Sequence, residues 1–257
     1  MNPAGFLPSF KPPGIPTGFR SVLVAVVISG LGLSSLSGCS ETISGSSVIV
    51  VVNYDYANFN RISTTRGCYT TVKKSNQFSV AVSINENLQS FLQVTEANGT
   101  LSIGLREGEN YENAQLGATI TMPDLRAVTL SSGSRLSVQD SFVVSGDIDG
   151  TLSAGSAFDG TLACTNLLLI LSEGSSTALK GEAHAMVLSF TGGSTANLLE
   201  FPVNRADITL NGGSTVAVAV RETLAVTAAG GSTVSYRGSP TITRSDVTGG
   251  STLINVP

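Results

Sequence analysis

A Gly-Ser pair returns seven times in the second half of the chain: at Gly133-Ser134, Gly155-Ser156, Gly174-Ser175, Gly193-Ser194, Gly213-Ser214, Gly231-Ser232 and Gly250-Ser251. Successive glycines are 22, 19, 19, 20, 18 and 19 residues apart. Self-similarity at a fixed period marks a solenoid, in which each repeat is one supersecondary unit that buries its apolar face only against its neighbours. The units share a template. After Gly-Ser comes Thr or a small residue and then an apolar-polar alternation, as in Gly213-Ser214-Thr215-Val216-Ala217-Val218 and Gly231-Ser232-Thr233-Val234-Ser235-Tyr236. A second alternating run leads into the next glycine: Ile208-Thr209-Leu210, Leu224-Ala225-Val226 or Ile242-Thr243.

Alternation of period two with Val, Ile, Leu and Thr is the mark of a half-buried strand. No helical period is sustained over two turns. Two or three short strands per unit, closed by glycine corners, predict an all-β, single-stranded parallel β-helix. Its coils hold about 19–20 residues, and the winding is expected to be right-handed, as parallel crossovers generally are. The seven glycines are then structural turn residues, because glycine reaches positive φ without a Cβ penalty. The Ser and Thr beside them are placed to bond local backbone or one another up the stack. Leucine-rich repeats share the period, but their Leu-x-x-Leu-x-Leu and Asn marks are missing. An apolar-Gly mark every six residues, which the hexapeptide left-handed helix needs, is missing too.

The N-terminal segment is set apart. Residues 1–20 are rich in Pro and Gly, with Lys11 and Arg20 as the charges, and Ser21 to Leu33 is an apolar run. That run is shorter than the about 20 residues a membrane span needs. It leads into Leu36-Ser37-Gly38-Cys39, which looks like a bacterial lipobox. This predicts a lipoprotein signal peptide over 1–38 and an acylated Cys39 at the head of a short tether, 39–45. One domain over 46–257 follows. Removing Lys11 and Arg20 takes the formal net charge from −4 to −6. An acidic chain without a basic stripe is not a nucleic-acid binder. Anionic lipid would repel it, which leaves the acyl chains as the expected hold on the membrane. Ser40 lacks the Asp linked to inner-membrane retention, so the expected location is the outer membrane, facing the periplasm or the exterior.

The first half carries alternating runs at 48–52, 78–84, 88–94, 101–105, 118–122 and 127–130, separated by turn signals such as Asn98-Gly99. Residues 106–115 (REGENYENAQ) read as a surface loop. Here the chain resembles a known family of bacterial envelope proteins, the "putative autotransporter adhesin, head GIN domain" family. The resemblance rests on Phe59-Asn60-Arg61-Ile62, Phe78-Ser79-Val80-Ala81-Val82, Gly99-Thr100-Leu101-Ser102-Ile103 and Met122-Pro123-Asp124-Leu125-Arg126, followed by the Gly-Ser coils and Tyr236-Arg237-Gly238. It covers about 200 of the 257 residues. It implies a β-helical extracytoplasmic domain and brings no catalytic residues with it.

Chemistry is sparse. His184 is the sole histidine and no Gly-x-Ser-x-Gly turn accompanies it, so it is expected at a solvent-facing corner or as a locally satisfied histidine. Counted from the repeat glycines, Asp140 and Glu200 fall at +7, Glu182 at +8 and Glu222 at +9, with Lys180 and Arg237 at +6. These groups suit either a solvated second corner or an acidic cleft. Asp147-Ile148-Asp149-Gly150 and Asp159-Gly160 read as turns rather than calcium loops, since neither an EF-hand nor a Gly-Gly-x-Gly-x-Asp nonapeptide is present. No Cys-x-x-Cys pair occurs, and about five coils between Cys68 and Cys164 would keep a disulfide from forming. Trp is absent, and Tyr54, Tyr56 and Phe59 are expected to cap the first coil. Neither cofactor nor metal is expected. The reading is a lipid-anchored envelope module, non-enzymatic and adhesin-like or structural, with a surface protein or a glycan as its ligand. The alternative is a carbohydrate-active enzyme, a polysaccharide lyase or hydrolase, that uses the carboxylates on one face.

Overall fold

The structure is a computed structural model and describes residues 41–257. Cys39 and the segment before it lie outside the described residues. About 65% strand and 3% helix form a β-solenoid of about seven turns, as the Gly-Ser period predicts.

The regular part begins at β10 (Ala127–Leu130) and β11 (Arg135–Val143). It continues through β12 (Ile148–Leu152), β13 (Ala157–Leu171), β14 (Ser176–Phe190), β15 (Thr195–Leu210) and β16 (Thr215–Ala228). β17 (Thr233–Arg237), β18 (Thr241–Val247) and β19 (Thr252–Asn255) complete it. All of these strands pair in parallel with their counterparts one coil on. One wall follows each Gly-Ser corner and a second wall leads into the next. The inward positions form ladders: Leu136, Phe158, Thr177, Ala196, Val216 and Val234 on the first wall. Leu130, Leu152, Leu171, Phe190, Leu210 and Ala228 form another on the second. All twelve are buried. Thr177, the polar member, donates its hydroxyl to the Phe158 carbonyl at 2.8 Å, which removes the penalty of a buried unpaired group.

The corner has one construction throughout. The seven glycines have φ between 71° and 76°, and the residue before each, whether Ser132, Ala154, Glu173 or a second glycine, has φ between 52° and 67°. Positive φ at both central positions is the signature of a type I′ turn. The following serines, from Ser134 to Ser232, are fully buried. From Ser156 onward each of these hydroxyls donates to the carbonyl three residues back, at 2.7–2.8 Å. Each corner glycine N–H up to Gly231 also donates to the next corner, Gly193 to the Gly212 carbonyl and Gly213 to the Gly230 carbonyl, both at 2.9 Å. An eighth corner precedes the seven. Arg66 and Gly67 have φ of 58° and 70°, Gly67 N–H bonds the Ser132 carbonyl, and Cys68 stands in the serine position.

The first half departs from simple winding. β3 (Arg61–Thr64) and β4 (Tyr69–Lys74) form a coil beneath β10 and β11. Below that coil lie β7 (Thr100–Leu105) and β9 (Leu116–Met122), which come later in the chain. The chain descends after β4 and then climbs back through Pro123 to Arg126, whose N–H bonds the Asn60 carbonyl at 2.7 Å. Antiparallel strands close the base: β2 (Ile49–Tyr54) on β5 (Ser79–Asn85), β5 on β9, and β6 (Leu92–Ala97) on β7 across the Asn98-Gly99 turn. Residues 88–91, expected to open a strand, belong instead to a 3₁₀ helix, Glu86–Phe91, that buries Leu88. Within the expected surface loop, Asn110–Glu112 is a short strand, β8. It pairs with β1 (Thr42–Ser44), so residues 42–44 of the expected tether are strand and belong to the folded base.

Asp149-Gly150 and Asp159-Gly160 are likewise strand segments rather than turns. Gly150 faces the core, where a Cβ would lie 2.5 Å from Leu169. Gly160 and Gly181, with φ of 137° and 121°, mark a second corner that the Gly-Ser period does not reveal.

The two corners tolerate substitution differently. A Cβ on Gly213 would meet nothing within 4 Å, so Gly213→Val carries only the backbone penalty, about 1–3 kcal/mol. Gly213→Asn should recover part of it, because Asn accepts this conformation. A Cβ on Gly181 would sit 1.8 Å from the Leu162 carbonyl oxygen. Gly181→Ala should therefore destabilise more than Gly213→Val despite its smaller side chain. Urea unfolding of the three variants checks this order.

Candidate functional site

The groups that sequence reasoning brings to the second corner are all on the surface, but they do not converge. His184 is exposed on β14, as expected. Asp140 is exposed in a two-residue bulge of β11, with φ of 63°. Glu182, Glu200 and Glu222 have side chains 65%, 67% and 50% exposed. The registers Ala185↔Arg205 and Arg205↔Thr223 put Glu222 in the column of His184, two residues along from Glu182. Glu200 lies in an outward excursion of β15, Leu199 to Pro202, where the pairing to both neighbouring coils slips.

The three glutamates each face a cation from another coil. Glu200 pairs with Lys180 at 2.9 Å, Glu222 with Arg205 at 3.6 Å and Glu182 with Arg221 at 3.9 Å. Asn204 adds a 2.9 Å bond from its amide to Glu222. At this exposure such pairs contribute at most about 1 kcal/mol each. The three acids thus sit apart in open solvent, each beside a partner of opposite charge, and no two of them share a pocket. The depression beside them, about 390 Å³, is shallow and lined by Glu200, Pro202, Arg221 and Arg237. A larger groove of about 700 Å³ runs over β6 and β7 at the base, between Thr65, Gln93, Thr95 and Arg106. It holds none of the second-corner acids. Among the described residues no group of His, Cys, Asp and Glu is arranged to hold a metal ion.

The aromatic residues gather at the base. Phe59 is buried against Phe78, ring centroids 5.0 Å apart, and so caps the first coils as expected. Tyr54 and Tyr56 stack in parallel at 5.6 Å, and the Tyr56 hydroxyl bonds the Val94 carbonyl at 3.0 Å. Arg106 lies 4.5 Å over the Phe91 ring and Arg66 lies 5.8 Å over Tyr111.

Cys68 and Cys164 are both free. Their separation differs from the expected five coils. Cys68 stands in the position of Ser134 one coil down, and Cys164 belongs to the coil directly above Ser134, because residues 75–122 pass beneath Cys68. Burial pushes the Cys68 thiol up to about 11, partly offset by its contact with Thr70, and pushes Cys164 up to about 12, with the nearby Asp147 adding to the rise. Both thiols therefore stay protonated, and inert, at ordinary pH. Alkylation by iodoacetamide at pH 8 should be negligible in the folded chain and complete in denaturant. A group whose pKa rises on folding adds stability below its unfolded value and loses that contribution as pH climbs. Stability should accordingly fall from about pH 9 upward. Cys68→Ser, which restores the corner residue used by the other coils, should remove part of that fall.

The Gly-Ser corners from Gly133 to Gly231, the base strands from β3 onward and the second-corner ladder lie within a stretch that known proteins share. The family described as "Putative auto-transporter adhesin, head GIN domain" matches residues 58–240. No curated protein matches the chain. Solved structures share the fold at low identity. An adhesin described as putative from Bacteroides fragilis is 18% identical, with a TM-score of 0.76 over 83% of this chain and 100% of its own. A second one, from Parabacteroides merdae, is 15% identical, with a TM-score of 0.66 over 84% and 99%. A protein from Parabacteroides distasonis described as a putative lipid binding protein is 15% identical, with a TM-score of 0.61 over 84% and 100%. With the family pattern spanning most of the chain and the fold shared over 83% of it, this chain belongs to the family described as "Putative auto-transporter adhesin, head GIN domain".

Proposed function

We propose that the chain is a non-enzymatic, adhesin-like module of the bacterial cell envelope, anchored by lipid on Cys39 in the outer membrane. It presents the rigid outer wall of its solenoid to a surface protein or glycan. The observation that carries the non-enzymatic reading is the second-corner ladder. Glu182, Glu200 and Glu222 are exposed, spread over different columns and each opposite a cation. General acid–base work on a polysaccharide needs a concave, water-poor pocket that shifts a carboxyl pKa. The family description favours the same reading. Lipid anchoring is supported by the order of basic residue, apolar run, small residues and Cys39. The lipid-binding description of one similar structure fits a place at a lipid surface.

The outer walls suit recognition by a stiff surface. Outward positions on successive coils, such as Thr195, Thr215, Thr233 and Thr252, stack in register. Such columns present hydroxyls at the rung spacing of about 4.8 Å. Rigidity lowers the ordering cost of binding, so a modest contact area can suffice.

Two outcomes are expected. Purified protein should not turn over pectate, alginate or glycosaminoglycans, and turnover that disappears in Glu182→Gln or Glu200→Gln would establish the enzyme alternative instead. Expressed in a bacterium with lipoprotein processing, the chain should partition with membranes, and Cys39→Ser should release it. Unchanged membrane partitioning of Cys39→Ser would defeat the anchor.

A further inference from the structure

The segment just after Cys39 is bound rather than free. β1 pairs with β8, and the Gly45 N–H donates to the Glu112 carbonyl at 2.8 Å. The buried Asn85 donates its amide to the Ser46 carbonyl and accepts from the Gln115 N–H, both at 2.6 Å. Asn87 bonds the Ser44 carbonyl and the Ser46 N–H, both at 2.8 Å. Only Ser40 and Glu41 lie between Cys39 and the first paired residue, Thr42. Three Cα-to-Cα steps span at most about 11 Å. A lipid on Cys39 therefore holds the base of the solenoid within that distance of the bilayer surface.

What the base presents there is apolar. Val48, Ile49 and Val51 are 51%, 41% and 61% exposed. They lie on and beside β2, the outermost rung of its wall, next to the pinned segment. The same wall higher up turns Ser137, Asn197, Thr215 and Ser235 outward, with Tyr69 and Ile254 as single exposed apolar residues among them. Exposed large apolar residues elsewhere among the described residues stand singly along the chain; here three fall within four residues.

We propose that this β2 edge is a second membrane contact, in which Val48, Ile49 and Val51 rest in the headgroup–acyl boundary of the bilayer and stand the solenoid on its base. The inference rests on the lipid anchor at Cys39. The contact is shallow, because the outer backbone groups of an edge strand need headgroups or water as partners and cannot enter hydrocarbon. The acidic net charge, with Glu41 and Glu112 near the contact, favours zwitterionic lipid, and anionic lipid weakens it. Together the two holds fix the orientation of the walls, which a flexible stalk would leave free.

The chain has no tryptophan, so one introduced residue is the sole reporter. The acylated full chain carrying Val51→Trp, and separately Ile254→Trp at the far end of the solenoid, is reconstituted into phosphatidylcholine–phosphatidylethanolamine vesicles with brominated acyl chains. Both positions are exposed, so both variants should fold. The expected result is a blue-shifted Val51→Trp emission, quenched at least threefold more than that of Ile254→Trp. Equal quenching at the two sites, with the protein still floating with the vesicles, would overturn the membrane contact while leaving the anchor intact. A blue shift without quenching would also overturn it, since Val51 would then be covered by a second copy. Failure of the wild-type chain to float with vesicles would overturn both the contact and the anchor.

Discussion

A backbone hydrogen bond from each corner glycine to the carbonyl of the next corner, repeated from Gly67 to Gly231, is the interaction on which the remaining structure depends. It requires two successive residues at positive φ, where a side chain is a liability and glycine is not. With the corner fixed, the serine that follows turns inward and is buried, and from Ser156 to Ser232 its hydroxyl is satisfied by the carbonyl three residues back. The apolar ladders then fall into register above and below. The core is a consequence of the corner, because alternation of period two admits several registers and the corner selects one.

The same construction limits what the protein can do. Coils that differ in length by one to four residues keep their corners stacked and place the surplus at the second corner, as bulges around Gln139-Asp140 and Leu199 to Pro202. Those excursions are too small to wall a cleft. The surface is left as flat ladders of hydroxyls and cross-coil ion pairs, which suits recognition by complementarity of shape and charge over a wide area. The closed base, by contrast, concentrates aromatic, cationic and apolar groups beside the N-terminal segment.

The sequence makes the regular half legible because its corners use one residue pair and almost no insertions. The first half is harder to read for physical reasons. Gly67-Cys68 plays the corner role with a thiol in place of a hydroxyl, and 66 residues separate Gly67 from Gly133 because a whole base is inserted between them. That insertion also makes the coil count from Cys68 to Cys164 misleading. Residues 42–44 carry tether-like composition and become strand only through Asn110–Glu112, a partner far along the chain. Asp149-Gly150 has turn chemistry locally, but Leu169 one coil up needs the space that glycine leaves in the ladder. For the candidate site, spacing brings the carboxylates to one corner correctly, whereas their dispersal over columns follows from bulges that no spacing rule encodes.

The claim that the Gly-Ser corner sets the register, while the second corner absorbs length, is open to one direct measurement. A single alanine inserted after Glu200 is compared with one inserted after Gly213, by amide hydrogen exchange across β14, β15 and β16. The account predicts near-native protection for the first insertion, because β15 already bulges there. For the second it predicts protection lost in at least the two coils that meet at Gly213. Equal protection in the two insertion variants would contradict it.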